Sequence, residues 1–273
     1  MSPAQIDPTA RIEPGATIGQ DVSIGPYCVI GPHVAIGDGC RLVAHVHVAG
    51  HTTIGPRTVI YPFASLGTPP QSVKYRGGPT RLSIGADCDI RENVTINIGT
   101  EDDRGLTEIA DHCFLMAGSH VGHDCIVGHH VTLANGTMLG GHVSLGDYAF
   151  LGGHVAVHQF VRIGEGAMVA GMSALRADLI PWGFAHGPVA KLVGINLVGL
   201  RRRGYAKSDI HRLRQAYREL FAGDGVFRDR LARIEETCSG DPLIGGILAF
   251  IRGGTRPLIT ETARIGKDAG DDA

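Results

Sequence analysis

Residues 22–36 read V-S-I-G-P-Y-C-V-I-G-P-H-V-A-I, and the spacing of the isoleucines decides the fold. Ile24, Ile30 and Ile36 stand six apart. Counting outward, an aliphatic residue recurs at every sixth position from Ile6 to Leu66, eleven in unbroken register. The pattern resumes at Ile84, Ile90 and Ile96, and runs again from Ile109 to Leu175. Two residues before each aliphatic sits a small or β-branched side chain, such as Ala10, Val22, Cys28, Val34, Cys40, Ala64, Ala149 or Ala167.

A period of six matches neither a helix of 3.6 residues per turn nor a continuous two-residue alternation. It matches short strands with two inward positions, each followed by a turn supplied by Gly, Asp, Pro or Asn. Three hexads per coil make a parallel β-helix of triangular section. Residues 18 apart then lie above one another at about 4.8 Å, as do His33 and His51, or His112 and His130. From Ile6 to Leu175 this predicts about nine coils, roughly 45 Å tall.

Composition agrees with a narrow, repetitive core. The 273 residues include 40 Gly and 43% hydrophobic residues, but only 5% aromatics. Cys28, Cys40, Cys88, Cys113 and Cys125 all fall two residues before a repeat aliphatic, so they are expected to pack as small hydrophobes. Cys238 lies outside the repeat. No run approaches the roughly 18 apolar residues of a membrane-spanning helix. The N-terminal M-S-P-A-Q-I-D-P has no basic stretch or apolar core of a signal peptide. With six Cys and no such signal, reduced thiols and a cytoplasmic location are expected.

The register breaks twice. Residues 67–80 lack aliphatics where Ser72 and Gly78 stand, and residues 99–107 carry one residue beyond the six-fold register. Both are read as loops thrown out of the solenoid, and insertions in repeat proteins gather on a binding face. After Leu175 the repeat fades. Three helices are expected: one capped by Ser208, with Ile210, Leu213, Tyr217, Leu220 and Phe221 on one side, one over 226–237 and one over 242–252. The domains are therefore drawn as a β-helix over 1–190, a helical domain over 191–256 and a disordered tail over 257–273. Charge divides along the same line. Residues 1–190 hold 10 Lys and Arg against 16 Asp and Glu, whereas residues 191–256 hold 13 against 7. That basic segment suits phosphates or an acidic protein.

No phosphate-binding P-loop or dinucleotide glycine motif is present, and no nucleic-acid partner is expected. H-V-G-H-D-C at 120–125, A-V-H-Q-F at 156–160, Q-S-V-K-Y-R-G-G-P-T-R at 71–81 and G-I-N-L-V-G-L-R-R-R-G at 194–204 together resemble the UDP-N-acetylglucosamine 3-O-acyltransferases of lipid A synthesis. These belong to the hexapeptide-repeat transferases. The resemblance covers nearly the whole chain apart from the last ~15 residues.

It implies an all-β solenoid plus α: a left-handed parallel β-helix of hexapeptide repeats followed by a C-terminal helical domain, working as a homotrimer. It implies transfer of a 3-hydroxyacyl chain from acyl carrier protein to the 3-hydroxyl of the UDP-sugar, with no cofactor and no metal. His123 would be the general base, Asp124 its orienting partner, and the backbone N–H of Gly141 the oxyanion donor. Histidine suits the first role because its proton affinity lies near neutrality, and the neighbouring carboxylate fixes its tautomer.

By the same matching, His120, His142 and His158 would line a cleft between subunits. Gln71, Lys74 and Gln159 would hold sugar or phosphates. Asn196, Arg202 and Arg203 would meet the nucleotide, from a neighbouring subunit, and Gly171 would set acyl length. Ser72 stands where the family usually has Asp, Asn97-Ile98 where it has His-Arg, and Val198 where it has Glu. These departures leave open a 3-amino acceptor in place of the hydroxyl. A coenzyme A-dependent transferase would use the same scaffold. A zinc-dependent β-helix carbonic anhydrase would use His120 and His123 as ligands. The remaining histidines of the solenoid, His33, His45, His47, His51, His129, His130 and His154, are read as structural or solvent-exposed.

Overall fold

In a computed structural model, which describes residues 2–238 and 240–260, the chain winds as a three-sided prism. Most strands are only two residues long, and each pairs in parallel with the strand one coil on. The strands ending at Ile6, Ile24, Leu42 and their successors build an eleven-stranded face. Those ending at Ile12, Ile30 and Val48 build a nine-stranded face, and those ending at Ile18, Ile36 and Ile54 an eight-stranded one. Gln5 pairs with Ser23 and Val29 with His47, a coil of 18 residues.

Two repeat features make this geometry. The aliphatic at each sixth position points inward, and from Ile24 to Leu175 these residues are essentially without solvent exposure. Each such side chain contributes about 1.5–3 kcal/mol. Three residues beyond most of these aliphatics the backbone turns the corner in the left-handed region. Non-glycine residues occupy it at Asp21, Tyr27, His45, Asp124, His142 and others, with φ between +51° and +65°. A positive φ costs an L-residue strain, which Asp, Asn and His bear more readily than most.

The corner residues stack between coils. His33 lies on His51 with centroids 4.4 Å apart, and His112 on His130 at 4.7 Å. The inward cysteines are buried as expected, and burial pushes the Cys125 thiol up to about 12.

Both breaks in register are insertions. Ser65 pairs with Thr95, 30 residues on, because residues 67–80 replace two hexads with a loop. Thr95 pairs with His120, 25 residues on, so the second insertion adds seven residues to one coil. Past Leu175 the stack is closed by a hairpin of Gly183–His186 against Lys191–Ile195, which joins the eleven-stranded face.

The helical part differs from expectation in several places. It begins after Ile195 rather than at 191, because residues 191–195 are a sheet strand. Its first helix, α1 (Leu197–Arg202), has no counterpart in the sequence pattern, being too short to show a period. Asn196 caps it by accepting from the Gly199 N–H at 2.8 Å. Helix α2 (Lys207–Ala222) starts before Ser208, whose hydroxyl faces Asp209 instead of capping. Helices α3 (Phe227–Cys238) and α4 (Pro242–Arg252) follow. Asp241 caps α4 by accepting from the N–H groups of Leu243 and Ile244.

The tail expected from 257 is ordered over its first residues. The Asp178 N–H donates to the Pro257 carbonyl, the Ile259 N–H donates to the Asp178 carbonyl, and Ile259 is buried. Residues 261–273 lie outside the described residues. Arg162 binds the solenoid to the helices. Its Nε donates to Asp178 at 2.7 Å, its Nη2 to the Phe250 carbonyl at 2.9 Å, and its guanidinium covers the Phe250 ring. Among the described residues no helix is long and apolar enough to cross a membrane.

Candidate active site

The nine-stranded face carries a shallow groove of about 360 Å³. Its floor comes from residues one coil apart. His120, Met138 and Ala156 form one column, and His123, Gly141 and Gln159 another. Gln71 from the first insertion and Asn97 from the strand below complete the rim.

His123 stands two residues beyond Val121, where the chain begins its corner, and Asp124 holds the corner itself with φ +58°. This conformation swings the carboxylate back beside the imidazole, Asp124 Oδ2 lying 2.8 Å from His123 Nδ1. The Asp124 side chain is fully buried, and its remaining capacity is filled by Thr100, whose N–H donates at 3.0 Å and whose hydroxyl donates at 2.6 Å. The Asp124 N–H donates to the Thr107 hydroxyl. An ionised carboxylate only accepts, so Nδ1 carries the proton and Nε2 is left as the acceptor facing the groove.

One coil on, against that ring, lies Gly141. A Cβ there would come within 2.5 Å of His123 Cε1 and 2.6 Å of Nε2, so only glycine lets the imidazole rest on this backbone. The N–H at this corner position is one the coil does not use. Elsewhere the position is often proline, as at Pro26, Pro32 and Pro56; at Gln20 and His129 its N–H donates to an Asp one coil on, and at Ala44, Asn135 and Gly153 nothing among the described residues accepts from it. Above Gly141 stands Gln159, and among the described residues nothing accepts from the Gly141 N–H. A buried donor without a partner is costly, and this one borders the groove next to His123.

Around this centre His120 offers Nδ1 to the Thr95 hydroxyl at 2.8 Å; burial, and less strongly the neighbouring His123, hold its pKa below the usual histidine range. His142 meets His123 edge-on at 4.8 Å. His158 is exposed beside Gln159, and Lys74 is exposed on the loop that carries Gln71; neither lines the groove. Gly171 lies at the other edge of the same face, stacked over Gly153.

Asn196, Arg202 and Arg203 are on a different side, in a hollow of about 540 Å³ against the eleven-stranded face with His130, Tyr148 and Trp182. Arg203 covers the Tyr148 ring. Both polar groups of Asn196 are engaged by the fold, its Oδ1 by the cap and its Nδ2 by the Gly166 carbonyl at 2.9 Å. One chain thus presents the two residue sets on two faces.

Sequence reading missed Thr100, Thr107 and Asp103. Register arithmetic finds the first, since an offset of 25 across the second insertion sets Gly99 and Thr100 beside Asp124. Asn97, one of the departures from the family pattern, donates its amide to the Thr68 and Pro69 carbonyls and fixes the root of the first loop.

Ligand atoms of His123, Asp124 and His142 fall within 4.8 Å of one another, the spacing of a metal site. The Asp124 oxygens, however, are occupied by Thr100 and by Nδ1 of His123, which is the pattern of an oriented base rather than of a free carboxylate ligand.

Known proteins carry the same architecture. Residues 178–259 match the family model described as UDP N-acetylglucosamine O-acyltransferase, domain 2, and residues 15–50 and 107–141 match the bacterial transferase hexapeptide model. An acyl-[acyl-carrier-protein]–UDP-N-acetylglucosamine O-acyltransferase of Azorhizobium caulinodans is 52% identical over 264 residues, 97% of each chain. One from Paracoccus denitrificans is 49% identical over 71% of this chain and 74% of its own. The solved UDP-N-acetylglucosamine acyltransferase of Campylobacter jejuni superposes with a TM-score of 0.90 at 36% identity, over 94% of this chain and all of that one. The chain belongs to the UDP-N-acetylglucosamine O-acyltransferase family of hexapeptide-repeat transferases.

Proposed function

We propose that the chain transfers a 3-hydroxyacyl group from acyl carrier protein to the 3-hydroxyl of UDP-N-acetylglucosamine, the first step of lipid A biosynthesis. The observation that carries this reading is the His123–Asp124 dyad set beside the unpaired N–H of Gly141. His123 Nε2 takes the proton of the sugar hydroxyl as its oxygen attacks the thioester carbonyl. Asp124 holds the resulting imidazolium, and the Gly141 N–H donates to the tetrahedral oxyanion. Collapse breaks the carbon–sulfur bond, and His123 returns its proton to the departing thiol. The donor brings its own activation as a thioester, so the sequence of steps calls on no metal or cofactor.

The separation of His123 from Arg202 and Arg203 on two faces supports a homotrimer, in which one subunit's groove meets its neighbour's basic hollow. The basic residues of 191–256 suit both the substrate's diphosphate and an acidic carrier protein. A cytoplasmic site of action goes with these substrates.

The test is transfer from a panel of 3-hydroxyacyl carrier proteins to UDP-N-acetylglucosamine and to its 3-amino analogue. Preference for the hydroxyl acceptor is expected. Transfer only to the amine would reassign the acceptor, and transfer to neither would leave the reading without support.

A further inference from the structure

The second insertion does more than support Asp124. Within one short loop Thr100 donates to Asp124, Glu101 accepts from the N–H groups of Gly78 and Arg76, and Asp103 reaches His142. Hydrogen bonds from its own N–H and from those of Gly78 and Arg76 hold the Glu101 carboxyl below its usual range. Asp103 is therefore carried by a loop pinned on both sides of it, by Thr100 and Glu101 before and by the strand Leu106–Ile109 after.

His142 occupies the corner one coil beyond Asp124, with φ +63°. Three neighbours fix its ring. Phe160 lies parallel to it at 4.2 Å, His123 stands edge-on at 4.8 Å, and Asp103 Oδ2 is 2.6 Å from its Nδ1. Its side chain is 15% exposed, close to the 13% of His123. The site thus holds two acid–imidazole pairs side by side, and in both the carboxylate takes Nδ1.

We propose that Asp103 is a positioning residue for acyl transfer, acting through His142. By accepting from Nδ1–H it fixes the tautomer and rotation of that ring, so that Nε2 is the one nitrogen turned to substrate. Without Asp103 the ring is free to place its proton on either nitrogen and to turn between Phe160 and His123. The inference rests on the acyl-transfer reading for its kinetic arm, whereas its spectroscopic arm needs no turnover.

Asp103→Ala is expected to lower kcat/KM by about 10–100-fold, in the range of lost orienting partners, with an unchanged melting temperature because Asp103 is 42% exposed. Asp103→Asn keeps an acceptor for Nδ1–H and recovers part of the loss. The decisive control is His142→Asn, a residue that tolerates the left-handed corner. In that background Asp103→Ala should cost nothing further. Isotope-labelled histidine NMR should show His142 protonated on Nδ1 in the wild type and a mixture of tautomers in Asp103→Ala.

The proposal is overturned if Asp103→Ala keeps wild-type kcat/KM, if it costs the same factor with and without His142, or if the His142 tautomer does not change. Failure of wild type to accept either sugar would count against the acyl-transfer reading, and the NMR result would still decide whether Asp103 sets the ring.

Discussion

At the scale of single residues, the His123–Asp124 pair is made by backbone conformation as much as by side-chain chemistry. Asp124 serves as partner to the residue directly before it because the left-handed corner folds its carboxylate back onto His123. Adjacent residues on a straight strand would point to opposite faces. Gly141 gives the sharpest steric prediction. In Gly141→Ala the methyl group would collide with the imidazole, with contacts of 2.5–2.6 Å to Cε1 and Nε2. The ring must then turn away from Asp124 or the groove. A shift of this size costs on the order of 100-fold in kcat, with little change in melting temperature, since no core side chain is disturbed. Steady-state kinetics alongside thermal unfolding checks both halves.

At the scale of elements, the coils build the floor of the site, the insertions add Gln71 and Thr100 to it, and the hairpin closes the stack. The joint between solenoid and helices rests on Arg162. Its partner Asp178 is fully buried, so removing the guanidinium leaves that carboxylate with the Arg162 backbone N–H as a donor but no cation beside it. Arg162→Ala should destabilise by about 3–5 kcal/mol, read as a lower denaturation midpoint. Loss of well under 1 kcal/mol would mean that the hairpin and α4 hold the junction without it. The elements also show what could be read from sequence. The hexad period set strand positions, inward cysteines and both loops, because each depends on spacing alone. Helix α1 and the Asn196 cap escaped, since six residues carry no period. Ser208 matched a capping pattern, yet α2 starts one residue earlier. Asp103 escaped because contacts between a loop and a distant corner depend on how the insertion folds back, which register arithmetic cannot follow past Thr100.

At the scale of the whole molecule, the division of residues between faces has a direct consequence. If His123 of one subunit works with Arg203 of the next, two separately inactive variants should complement. Refolding His123→Ala with Arg203→Ala at equal amounts leaves about one site in four with both wild-type residues. About a quarter of wild-type activity is then expected. A site completed within one chain would recover nothing on mixing.

His123 is proposed as the general base of transfer to UDP-N-acetylglucosamine. The most direct test is kcat/KM of His123→Ala with the 3-hydroxyacyl carrier protein that wild type uses best. A loss of about 100- to 10,000-fold is expected, with binding of the UDP-sugar and the melting temperature preserved. A variant that kept near-normal turnover would contradict it, and the proton of the sugar hydroxyl would have to go elsewhere.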